Sequence, residues 1–137
     1  MKLFLLGILT WTLVEYLAHR FLHVITARTH LWGHHRWPSD YTIGPSWTSI
    51  ATFNAVLMGA CVLLGVPWFA VGYIVGFAFY ARIHYLCHHV GQPWQEDRLR
   101  LWLRRNHNIH HYHDGNKNFG VSSPLWDVVF RTYKRAP

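Results

Sequence analysis

The sequence predicts an all-α integral membrane protein, with about three transmembrane helices and a cytoplasmic His-rich helical cap that holds a dinuclear metal site. Three observations predict it. Apolar segments of near-membrane length alternate with charged, His-rich segments. The basic residues gather on one side of those segments. All twelve histidines fall into four clusters at helical spacing. A chain of 137 residues is long enough for one domain, so 1–137 is read as a single membrane domain. Hydrophobic residues make up 51% and charged residues 14%, far less charge than a soluble domain carries.

The first span runs from Leu3 to Ala18, with Glu15 as its only charge. A signal peptide is the competing reading, but no small-residue cleavage site precedes Glu15. The second span, Trp47 to Gly65, is uncharged. At about 1.5 Å per residue it covers roughly 28 Å, close to the hydrocarbon thickness of a bilayer. The third, Pro67 to Ala81, is also uncharged and lengthens by continuing into its His-rich flank. The short Gly65-Val66-Pro67 junction predicts an antiparallel hairpin of the second and third spans. Trp32, Trp37, Trp47 and Trp68 stand near the expected boundaries, where amphipathic rings are favoured. Gly72 and Gly76 form a G-x-x-x-G pair that permits dimerisation but more often serves plain helix packing.

Charge sets the expected orientation. Of thirteen Lys and Arg, only Lys2 precedes the first span and none lies between the second and third. Arg20, Arg28 and Arg36 follow the first span, and nine more run from Arg82 to Arg135. The positive-inside rule then puts residues 20–46 and the C-terminal third in the cytoplasm, with all four His clusters. The net charge of +7 follows this membrane side and reads as a face near anionic lipid, not as a nucleic-acid surface. Cys61 and Cys87 are expected to be packing residues, since no Cys-x-x-Cys pair exists.

Residues three or four apart on a helix share a face, so each cluster can aim at least two imidazoles one way. The first cluster continues a stripe of Glu15, His19 and His23. Glu15 either accepts the second ring N–H of a ligating histidine or pairs with a nearby arginine. The second holds His30, His34 and His35, and Pro38 should end its helix. Adjacent His34 and His35 differ by about 100° around a helix, which lets them serve different ions. In the third, His84 and His88 share a face and His89 points elsewhere. In the fourth, His107 lies one turn from both His110 and His111, with His113 beyond. Asp114 to Asn118 is turn-rich. Ser123-Pro124 then begins a short helix to Phe130 with Leu125, Trp126 and Val129 on its apolar side. One histidine on a helix is more often packing or surface than ligand. Four clusters at one membrane side offer more nitrogen than one ion can use, so they point to two ions.

These residues resemble the fatty acid hydroxylase superfamily, which includes sterol desaturases and sterol methyl oxidases. Glu15-Tyr16 through His19-Arg20 to His23 matches its opening motif, and His34-His35 with Pro38 and Asp40 its second box. His84-Tyr85 through His88-His89 is similar to the third box, and Arg104 to His111 to the fourth. Asn118-Phe-Gly-Val-Ser-Ser-Pro-Leu-Trp-Asp127 is similar to its closing signature. The chain departs from it at His30, which three residues separate from His34 where the family has two, and at the first pair, one residue tighter than in fatty acid 2-hydroxylases.

The resemblance implies a membrane-bound di-iron oxygenase that uses O2 to hydroxylate an aliphatic C–H of a lipid, a fatty acyl chain being favoured. It implies ligation by His19, His23, His30, His34, His35, His84, His88, His107, His110 and His111, with Glu15 and Asp40 supporting the ligands from behind and Asp114 a further nearby carboxylate. His89 and His113 extend their clusters beyond the matched motifs and are expected not to ligate. With no haem or flavin domain in view, electrons are expected from a separate ferredoxin or cytochrome b5 type donor. Two alternatives remain: a lipid or sterol desaturase with the same centre, and a non-enzymatic zinc-binding membrane protein, since imidazole does not select iron over zinc. Transport is disfavoured because no ionisable residue lies deep in the second or third span.

Overall fold

The computed structural model describes residues 1–25, 35–37, 47–89 and 97–135, with helical backbone alone at 22–25 and 47. All regular structure among them is helical: α1 (Lys2–Ile25), α2 (Trp47–Leu63), α3 (Pro67–His88), α4 (Arg98–Tyr112) and α5 (Leu125–Val129). As the sequence predicts, α1 and α3 run unbroken from their apolar segments into His-rich ends, because nothing at either junction breaks a helix. Among the described residues, one helix, α3, is long and apolar enough to cross a membrane. The apolar part of α2, Thr48–Leu63, is shorter.

The α2–α3 junction is a Schellman turn. Gly65 takes φ +70°, its N–H reaches Val62 O at 3.0 Å, and Val66 N–H reaches Cys61 O at 2.8 Å. A left-handed residue is needed there, which glycine adopts without steric cost. Pro67 then opens α3 at a position whose N–H has no helical partner to lose.

Helices α1 and α3 make the closest packing in the fold. A Cβ on Gly72 would overlap the Phe4 carbonyl oxygen, and one on Gly7 would overlap that of Phe69. At Gly76 a Cβ would lie 2.9 Å from Trp11 Cβ, and the Trp11 ring stands edge-on to Tyr73 and Phe77 at 5.2 and 5.0 Å. The G-x-x-x-G pair is therefore used inside the chain, to bring α1 against α3. Gly72→Val should cost stability at or above the upper end of the roughly 1–3 kcal/mol usual for overpacking, because backbone cannot move aside. Gly59→Ala, in open space on α2, should raise stability by up to about 1 kcal/mol. Thermal midpoints in one detergent check both.

Helix α4 starts at Asp97, whose carboxylate accepts the Arg100 N–H at 3.0 Å and pairs with the Arg100 guanidinium at 2.8 Å. A small core of Ile83, Cys87, Leu103 and Val121, flanked by Tyr80, joins α3, α4 and the segment before α5. Cys87 is thus a packing residue, and Cys61 is likewise a buried thiol. The expected helix from Pro124 to Phe130 is shorter by one residue at each end, with Ser123 Oγ accepting the Leu125 N–H.

Candidate metal centre

Seven histidines from four parts of the chain meet where α1, α3 and α4 end. His19 comes from α1, His84 and His88 from α3, His107, His110 and His111 from α4, and His35 from the 35–37 turn. They form two groups, His84/His88/His107/His111 and His19/His35/His110, in each of which the ligand nitrogens lie within 4.8 Å of one another. His88 Nε2 is 3.2 Å from His84 Nε2 and 3.0 Å from His107 Nε2. The groups adjoin: the His35 ring stacks on His111 at 4.2 Å and lies 4.8 Å from His110. His110 and His111, neighbours in sequence, serve different groups, because one helical step turns a side chain by about 100°.

These spacings fit metal ions. Two imidazole nitrogens at about 2.0–2.1 Å from one ion lie roughly 3–4 Å apart, as His84, His88 and His107 do already. Among the described residues, neither group contains a carboxylate or thiolate. Such all-imidazole sets suit zinc, copper, iron or nickel. His107 is fully buried, and its Nδ1 has no hydrogen-bond partner among the described residues. Burial, then the neighbouring His111, His84, His88 and His19, hold its pKa well below the ordinary 6.5. The ring is therefore neutral near pH 7, the state that ligates. The sign follows for the metal-free protein. The unfolded chain takes up a proton at His107 below about pH 6.5 and the folded chain does not, so the contribution of His107 to folding stability is level above that pH and declines below it. Thermal midpoints of chelator-treated protein between about pH 8 and about pH 5 check this.

Two imidazoles are oriented by backbone carbonyls of one loop. His19 Nδ1–H donates to Phe119 O at 2.7 Å, and His110 Nδ1–H donates to Lys117 O at 2.8 Å. A carbonyl only accepts, so both rings carry their proton on Nδ1 and present the Nε2 lone pair for ligation. The loop is itself tied down from three directions. Asn118 takes φ 53°, donates its amide to Asn106 O and Lys134 O at 3.2 and 2.9 Å, and accepts the Lys134 N–H at 2.7 Å. The fully buried Asp127 accepts the Phe119 and Gly120 N–H groups at 2.9 and 2.8 Å and the Thr132 hydroxyl at 2.7 Å.

Glu15 supplies the third tie and corrects an expectation. Among the described residues, its carboxylate meets neither an imidazole nor an arginine. It accepts the Val121 and Ser122 N–H groups at 2.6 and 2.8 Å, and the Ser122 hydroxyl. It therefore steadies the loop that orients His19, one step behind the ligand. In the sequence, Asn118 and Asp127 stand out only as parts of the stretch that is similar to the family's closing signature. A single acid inside Leu-Trp-Asp-Val-Val was the signal that it is buried and paired. Asp114 pairs with Lys134 at 3.5 Å, away from both groups. His89 donates to Tyr85 O at 2.9 Å and stacks on that ring at 4.0 Å, while exposed His113 caps α4, and neither joins a group. His30, His34 and Asp40, and the side chain of His23, lie outside the described residues.

The class that fold and site define is a helical protein with an imidazole-only, metal-competent cluster at the end of apolar helices. The chain belongs to the fatty acid hydroxylase family, whose model matches residues 4–132. It is 35% identical to a dihydroceramide fatty acyl 2-hydroxylase of Arabidopsis thaliana, over 92% of this chain and 58% of that protein. It is 32% identical to the fatty acid 2-hydroxylase of Rattus norvegicus, over 95% of this chain and 39% of that one. A solved structure of full-length Scs7p, in which only the hydroxylase domain is visible, matches with a TM-score of 0.73 and 31% identity, covering 98% of this chain and 56% of that one. The chain thus spans little more than half the length of these relatives at most.

Proposed function

We propose that residues 1–137 form one membrane hydroxylase domain that inserts an oxygen atom from O2 into an aliphatic C–H of a fatty acyl lipid. The observation that carries this reading is the convergence of two imidazole groups at the end of an apolar helix pair. The names of its relatives, fatty acid and ceramide hydroxylases, support the lipid class. His84, His88, His107 and His111 would hold one iron and His19, His35 and His110 the other, with His23, His30 and His34 completing the set. Bound there, two iron ions supply the redox chemistry with dioxygen that an unactivated C–H requires.

The chain's own residues do the rest. The carbonyls of Lys117 and Phe119 fix two imidazole tautomers, and Glu15, Asn118 and Asp127 hold those carbonyls in place. Burial of His107 and His110 excludes water from one side of the cluster. We read α1, α2 and α3 as three spans with the centre on the cytoplasmic face, from the placement of Lys and Arg. A lipid tail then reaches the cluster from the bilayer, and a separate ferredoxin or cytochrome b5 type protein delivers electrons.

The test is turnover in nanodiscs. Protein reconstituted with ferrous iron receives a fatty acyl or ceramide substrate, an electron-donor system and isotopically labelled O2, and lipids are read by mass spectrometry. A product heavier by one labelled oxygen supports hydroxylation. A product lighter by two hydrogens makes it a desaturase, and no conversion with firmly bound zinc favours the non-enzymatic reading.

A further inference from the structure

One apolar surface lies outside the metal centre and outside the three apolar helices. Leu125, Val128 and Val129 of α5 and the following Phe130 are exposed, Val128 at 59% and Val129 at 55%. Their place along α1 gives the surface its meaning. Trp126 Nε1–H donates to Thr12 Oγ1 at 3.0 Å, Phe130 stacks on Tyr16 at 5.2 Å, and the Thr132 and Tyr16 hydroxyls lie 3.1 Å apart. So α5 runs beside α1 in the same direction, its start level with Thr12. Thr12 is seven residues before His19, which puts that start about 10 Å along the α1 axis from the metal centre, toward the apolar end.

Leu5, Leu9, Thr12 and Tyr16 form one stripe of α1, since steps of four, three and four residues return to the same face. The lower half of the stripe is exposed, Leu5 at 57% and Leu9 at 42%, while Tyr16 is fully buried. Where α5 covers the stripe, its own outer face takes over as an exposed apolar surface in line with Leu5 and Leu9. At the other end of α5 the surface turns basic, with exposed Arg131, and with Arg20 donating to the Tyr16 hydroxyl at 2.9 Å. Apolar below and cationic above, ordered by depth, is the gradient of a bilayer leaflet with anionic headgroups. A protein partner would not require that order.

We infer that the outer face of α5 and its turn, Leu125 to Phe130, is immersed in lipid at the boundary of acyl chains and headgroups, with Arg20 and Arg131 among the headgroups. The inference rests on the membrane reading proposed above. It makes α5 a shallow anchor that joins the loop orienting His19 and His110 to the leaflet surface.

Site-directed fluorescence in phosphatidylcholine–phosphatidylserine nanodiscs tests it. Val129→Cys carries an environment-sensitive fluorophore, Val75→Cys on exposed α3 reports the span, and Asn116→Cys reports the solvent-facing loop. Cys61 and Cys87 are buried, so the unsubstituted chain is the labelling blank. Quenchers are lipids with doxyl groups on the acyl chain and aqueous iodide. The expected result is quenching of Val129 and Val75 labels by doxyl lipid, with Asn116 quenched by iodide alone. Doxyl quenching at Val75 with only iodide quenching at Val129 overturns the inference and leaves the membrane reading standing. A Val129 label reached by neither quencher also overturns it, because protein then covers α5. Loss of doxyl quenching at both sites overturns the membrane reading itself.

Discussion

Protein purified with His88→Ala or His110→Ala is expected to fall from about two bound metal ions per chain to about one, and to lose lipid turnover to background. The two positions probe the two groups separately. His88 Nε2 lies 3.0 and 3.2 Å from two other imidazole nitrogens, so removing it opens one group at its centre. His110 is fully buried, carries its proton toward Lys117 O, and sits 4.4 Å from His19 and 4.8 Å from His35, ring to ring. Alanine at either site leaves too few nitrogens and a cavity. His113→Ala, exposed beyond both groups, should change neither metal content nor turnover. Metal analysis with far-UV circular dichroism separates loss of metal from loss of fold. Full metal retention in His110→Ala would remove that residue from the centre.

Asp127→Ala is expected to have the next largest effect, although the carboxylate touches no imidazole. The substitution strands the buried N–H groups of Phe119 and Gly120 and releases the Thr132 hydroxyl. At about 1–3 kcal/mol for each buried donor left unsatisfied, the loss is several kcal/mol. The metal-dependent part runs through Phe119 O, which orients His19. Loss of such support typically weakens metal binding about 10–100-fold. Asp127→Asn should fall between, because an amide keeps one accepting oxygen but turns an NH2 group toward donors. Denaturant unfolding and competitive metal titration measure the two effects. Unchanged metal affinity in Asp127→Ala would confine this residue to fold stability.

Much of the helical layout was legible in sequence. The apolar segments around Leu3–Ala18 and Pro67–Ala81 are followed by His-rich stretches without a breaker, and both continue as helix. Gly65-Val66-Pro67 carries its own turn chemistry. The spacing of His84 with His88, and of His107 with His110 and His111, is a property of helix pitch and needs no partner to interpret. Asp97 does not mark the start of α4 in sequence, because a capping carboxylate among Gln, Glu and Asp is not distinctive without its N–H partner.

By itself, then, the sequence determined that this protein is helical, apolar in blocks, and furnished with imidazoles at one end of its helices. Those are local properties, set by side-chain type and a period of 3.6 residues. Only the tertiary structure decided which histidines share a group, that Gly72 packs against Phe4, and that Glu15 holds Ser122 instead of an imidazole. Each of these joins residues far apart in the chain, Glu15 and Ser122 being 107 positions apart. A buried carboxylate takes whichever donors the fold brings to it, because leaving it unpaired costs more than any local preference returns.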